Sequence, residues 1–124
     1  MGQFILLCAM LLTGILPQGR PARSILLFGN PTQTLLQQQL KLLQTDSNGL
    51  AERDLQIKIV RPGDILYNQF AVPKGQHFTF ILVGRDGGEK FRSNQLTTTT
   101  QIFALIDAMP MRKAELRKIK NDHR

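Results

Sequence analysis

Thiols are almost missing from this 124-residue sequence: its one cysteine, Cys8, lies inside the first apolar run. Beyond it nothing can form a disulfide, a thiolate nucleophile or a cysteine-ligated zinc site. Histidine is nearly as scarce. His77 and His123 stand alone, with no HxH or HxxxH spacing, so no histidine metal motif is present. No Ser-His-acid set can be assembled from local context, and a triad is unsupported. There is no tryptophan and no internal repeat, and only short Gln and Thr runs depart from ordinary complexity. No catalytic residue, cofactor or metal is expected from these residues.

Acidic residues are also few, nine against sixteen Lys and Arg, for a formal net charge of +7. The excess is uneven. Residues 112–124 hold six Lys/Arg against two Asp/Glu, whereas residues 23–111 hold nine against seven. The body is therefore nearly balanced, and the basicity belongs mostly to a C-terminal tail read as weakly helical and solvated. Such a tail suits weak contact with anionic lipid or a polyanionic glycan. Nucleic acid is disfavoured because no aromatic residues interleave with the basic ones.

What is present begins with Phe4–Leu16 (FILLCAMLLTGIL), thirteen residues that are almost all apolar. A spanning helix needs about 20, so the run is short for a membrane anchor and fits the hydrophobic region of a secretory signal. No Lys or Arg precedes it, and no small-x-small cleavage site follows it. Cys8 follows Leu7 rather than a small residue, which argues against a lipoprotein signal. We read residues 1–22 as a leader, 23–111 as one folded domain and 112–124 as the basic tail, with export to the periplasm or beyond.

Within the domain, Arg23–Phe28 is a continuous apolar run of the kind found in interior parallel strands. Asn30 or Thr32 is placed to cap a helix over residues 32–45, with Pro31 in its first turn. Leu36, Leu40 and Leu43 line one side of that helix, and Asp46-Ser47-Asn48-Gly49 ends it. Leu55–Val60 alternates as a strand exposed on one side, and Ile65–Phe70 is a short helix. Phe78–Val83 is the second strongly apolar strand. The glycine-rich turn 84–88 and Glu89–Ser93 complete a hairpin, with Gly87 or Gly88 supplying a positive φ. A cap within Thr97–Thr100 starts a last helix that Pro110 stops. The order is β-α-β then β-β-α: an α/β fold with a four-stranded mixed sheet and helices on its faces.

Three stretches carry a resemblance: GLAERDLQIKIV (49–60), FTFILVGRDGGEKFRS (78–93) and QIFALIDAMPMRKAE (101–115). Together they resemble an exported bacterial domain-of-unknown-function family with a thioredoxin-like fold. A related domain recurs in vertebrate extracellular proteins of the sushi-repeat-containing class. The likeness spans about residues 23–116 and implies a fold and an extracytoplasmic setting, with no established activity to carry over. It also implies a contrast. A redox thioredoxin places Cys-x-x-Cys after its first strand, where this chain has Gly29-Asn30-Pro31-Thr32-Gln33, and a cis-proline before its third, where Phe78-Thr79 stands here. Disulfide exchange by this site is therefore excluded.

The expected function is a non-catalytic, exported binding or accessory module that contacts a protein partner in the cell envelope or extracellular space. Its candidate binding residues are Asn30 and Thr32 at the turn, and Arg85, Asp86, Lys90 and Arg92 at the hairpin. Two alternatives stand beside it. One is an enzyme using the oxygen and nitrogen groups of Asn30, Thr32 and Thr79. The other is a polyanion or membrane-surface binder working through residues 112–124.

Overall fold

The computed structural model describes residues 22–75 and 77–122. The apolar run 4–16, and with it the leader expectation, lies outside them. Strand β1 (Arg23–Gly29) is central because both of its faces are apolar: it pairs in parallel with β2 (Leu55–Val60) and antiparallel with β3 (Phe78–Val83). β3 in turn pairs antiparallel with β4 (Glu89–Ser93), giving the order β2-β1-β3-β4. The two continuous apolar runs occupy the middle of the sheet, and the alternating, half-polar ones form its edges. Only a strand flanked by neighbours and covered on both sides can bury every residue.

The alternation of β1 and β3 sends two residue sets to two cores. Ile25, Leu27, Phe80 and Leu82 face a layer made by α1 (Thr34–Gln44), α2 (Ser47–Glu52) and α4 (Thr99–Asp107), which contribute Leu36, Leu43, Leu50, Ile102 and Ile106. Leu26, Phe28, Ile81 and Val83 face a smaller cluster with Val60, Tyr67 and Val72, the last two from the segment around α3 (Leu66–Gln69). The Tyr67 ring meets Phe28 edge-on at 5.1 Å. One buried polar side chain fixes the first layer. Gln39 on α1 donates to the Thr97 carbonyl at 2.9 Å and accepts the Thr97 N–H at 2.8 Å, tying α1 to the start of α4.

The hairpin and the last cap follow the sequence reading. Gly87 has φ +83°, the left-handed conformation its turn requires, and the Thr98 hydroxyl accepts the Gln101 N–H at 3.2 Å. Three local expectations are corrected. α1 starts at Thr34 rather than residue 32, preceded by Gln33, whose side chain makes no capping bond. Residues 46–49 do not simply end a helix; they lead into α2, because Leu50 is buried in the same core as Leu36 and Leu43 and draws the chain back onto the sheet. Residues 112–122 are helical and mostly exposed, as read from the sequence, but two of their side chains, Arg112 and Glu115, turn inward. They belong to helix α5 (Pro110–Asp122), in which Pro110 opens a new helix rather than only closing the last one. Arg112 is 2% exposed and the Glu115 side chain 10%, so the first turns of α5 belong to the folded body.

Candidate functional site

The carboxyl end of β1 is the place where the fold would hold a dithiol. Its polar groups there bond to one another. The Asn30 carboxamide oxygen accepts the Thr32 N–H at 3.0 Å and the Thr32 hydroxyl at 2.8 Å, and the Asn30 carbonyl accepts the Gln33 N–H at 2.9 Å. This Asx turn replaces the expected cap: an oxygen committed to Thr32 is not available to the first N–H groups of α1. Gln37 donates to the Pro31 carbonyl at 3.3 Å. The Gln33 amide nitrogen lies 3.5 Å from His77 Nδ1, while Gln33 Oε1 is buried and finds no hydrogen-bond partner among the described residues. At Gly29, φ +152°, a Cβ would stand 2.6 Å from Gln33 Oε1 and 2.7 Å from the His77 carbonyl oxygen. The turn is closed around a glycine. Thr79 does not join it: the residue is buried and its hydroxyl donates to Asn94 Oδ1 at 3.3 Å.

The opposite end of the same strand is built from charge. Arg23, 1% exposed, donates to the Arg53 carbonyl at 2.9 Å and to the Glu115 carboxylate at 3.0 Å. Arg85 donates through Nε to that carboxylate at 3.0 Å and through its terminal nitrogen to Asp54 at 2.9 Å. Arg112 reaches Glu115, Asp107 and Glu52, each at 3.4 Å. Arg53 pairs with Asp107 at 2.9 Å and lies 4.0 Å over the Phe103 ring. Burial alone would raise the Glu115 carboxyl, but the hydrogen bonds and charges of Arg23 and Arg85 hold it at about 2. The Arg53 hydrogen bond likewise lowers Asp107, with Arg112 assisting against burial. A carboxylate so deeply ionised is a poor proton acceptor at neutral pH. It works as an anchor.

Beside this network lies a cavity of about 300 Å³. Met109, Pro110 and Met111 give it an apolar wall, and Arg23, Arg85, Asp86 and Lys90 a charged one in which the cations are ion-paired. Lys90 pairs with Asp86 at 2.9 Å, and the Asp86 carboxylate also accepts the Gly88 N–H, which together lower its pKa. Such a lining accommodates an apolar group next to a polar one. Among the described residues no three His, Cys, Asp or Glu side chains gather to hold a metal ion.

Of the six residues singled out from sequence, Arg85, Asp86 and Lys90 meet at this cavity. Asn30 and Thr32 lie at the other end of β1. Arg92 belongs to neither place. It pairs with Glu89 at 2.7 Å and donates to the Phe70 and Ala71 carbonyls, pinning the segment that covers the second core. Sequence reasoning missed Arg23, Glu115 and the Met109–Met111 wall. The Arg112/Glu115 spacing of i, i+3 was the one signal that α5 has an inward, charged side.

A family model for a domain of unknown function, DUF4174, matches residues 20–115, from just before β1 into α5. The chain belongs to this family. The matched span takes in Arg23, Arg85, Arg112 and Glu115, so the network of the DUF4174 chain lies within the family's domain. Among solved structures it is similar to a malarial protein at 18% identity and TM-score 0.53, over 69% of this chain and 94% of that one. It is also similar to thioredoxin-2, a component of the malaria parasite protein secretion machinery, at 17% identity and TM-score 0.52, over 71% and 84%. No curated protein matches the chain significantly. At these identities the likeness shows the fold: the DUF4174 chain is a thioredoxin-like α/β domain with a four-stranded mixed sheet. Among its described residues the redox position holds Gly29–Gln33 and no thiol.

Proposed function

We propose that this chain is a non-catalytic thioredoxin-like module, exported from the cytoplasm, that binds a protein partner in the cell envelope or extracellular space. The bacterial setting and the kinship with the vertebrate sushi-repeat-containing proteins belong to the same reading. The observation that carries it is the turn after β1. Its Asn30 and Thr32 groups are bonded to each other, and Gly29 is hemmed in by Gln33 and His77, which supports a structural role for the turn. The cavity beside Arg85, Asp86 and Lys90 is the preferred contact, because it offers a partner an apolar wall rimmed by charged groups of both signs. A partner segment with an apolar side chain flanked by polar groups matches it.

The test is crosslinking in intact cells, followed by fractionation and N-terminal sequencing of the mature chain. The expected result is one recurrent protein adduct from the extracytoplasmic fraction, on a chain that no longer begins at Met1. A cytoplasmic chain retaining Met1 removes the export. Absence of any adduct, with turnover of a small molecule by the purified chain, overturns the binding reading in favour of an enzyme.

A further inference from the structure

Helix α5 carries two kinds of surface. Arg112 and Glu115 point into the charge network. At 3.6 residues per turn, Leu116 and Ile119 continue the Arg112 stripe at i+4 and i+7. There, however, the stripe is no longer covered: Leu116 is 39% exposed and Ile119 48%, and Met111 on the adjoining side is 44% exposed. Lys113, Arg117, Lys118 and Lys120 are exposed around them. Among the described residues none of these four pairs with a carboxylate, unlike Arg23, Arg53, Arg85, Arg92 and Arg112. The helix thus ends as a short basic amphipathic surface.

Charge decides what covers it. A second copy would bring two sets of four unpaired cations together. Nucleic acid would find no aromatic ring on α5 for stacking. An anionic bilayer meets both halves of the pattern, with phosphates for the cations and the headgroup–acyl boundary for Leu116 and Ile119. Among the described residues no helix is long and apolar enough to cross a membrane. We infer that α5 rests the domain peripherally on an anionic lipid surface, with Leu116 and Ile119 entering the boundary and Lys113, Arg117, Lys118 and Lys120 on the headgroups. This inference does not depend on a partner at the cavity.

The test is flotation of the full chain with phosphatidylcholine vesicles, with and without phosphatidylglycerol. The readout is the anionic-to-neutral ratio, which cancels any contribution that the apolar run 4–16 makes equally to both vesicles. The unmodified chain prefers the anionic vesicles, and high salt removes the preference. Each cation near the surface contributes about fivefold, so K113Q/R117Q/K118Q/K120Q lowers the ratio by about 600-fold. L116S/I119S lowers anionic-vesicle binding about tenfold while leaving heparin retention unchanged. A ratio near one, or one that ignores salt and the four substitutions, overturns the inference. So does heparin retention that follows the four cations while L116S/I119S binds vesicles like the unmodified chain. That outcome makes α5 a polyanion binder instead.

Discussion

The two ends of β1 use polar groups in opposite ways. At Gly29 the bonds are local and mostly between neutral groups: Asn30 holds Thr32, and Gln37 holds Pro31. At Arg23 the bonds are ionic and distant in sequence, with Arg23 and Glu115 separated by 92 residues and Arg85 and Glu115 by 30. A local turn forms with little help from the rest of the fold. A buried network from five segments exists only when the whole fold is assembled, and then holds it together. The end where a thioredoxin-like fold usually keeps its chemistry is thus held by local bonds here, while the other end carries the long-range ionic network and a cavity lined by Arg23 and Arg85.

The sharpest break in that comparison is Glu115→Ala. It leaves Arg23 buried without its carboxylate, a change that costs about 3–5 kcal/mol by the usual behaviour of broken buried pairs. Urea denaturation should show the loss directly. Acid probes the same network more gently. The folded-state Glu115 carboxyl is held at about 2, below its ordinary 4.5. Its stabilisation is therefore complete above about pH 4.5 and falls away as the pH drops towards 2, Asp107 acting in the same direction. Denaturation midpoints measured from neutral pH downward should trace this decline, and Glu115→Gln should flatten it.

At the other end the effects shrink. Gly29→Ala forces a Cβ against the His77 carbonyl oxygen at a φ that disfavours it, and should cost more than about 1 kcal/mol in thermal or urea unfolding. Asn30→Ala removes only exposed local bonds and should stay within about 0.5 kcal/mol of the parent. Equal losses for Asn30→Ala and Glu115→Ala would erase the distinction between the two ends.

Strand identity was readable from hydrophobic patterning, and so was the interior place of SILLF, because a continuous apolar run suits a strand covered on both faces. The hairpin and the Thr98 cap were readable because their residues act on near neighbours. Helix α2 was not: Asn48-Gly49 locally favours a stop, and only the distant core that takes Leu50 overrides it. Nor was the inward side of α5. A string of Arg, Lys and Glu has the same composition whether it faces water or a buried partner, and sequence spacing does not say that Glu115 will meet Arg23 and Arg85. Arg85, Asp86 and Lys90 were found as candidates because the hairpin keeps them close in sequence. Arg92 was grouped with them for the same reason, yet strand alternation and register carry it to the α3 segment.

The central claim is that this module works from its arginine-rich end and not from the turn after β1. Position-resolved photocrosslinking in intact cells tests it most directly, with a photoreactive side chain introduced at Lys90 in one experiment and at Thr32 in another. The account predicts a recurrent protein adduct from Lys90 and none from Thr32. The same adduct formed from Thr32 and absent from Lys90 would contradict it.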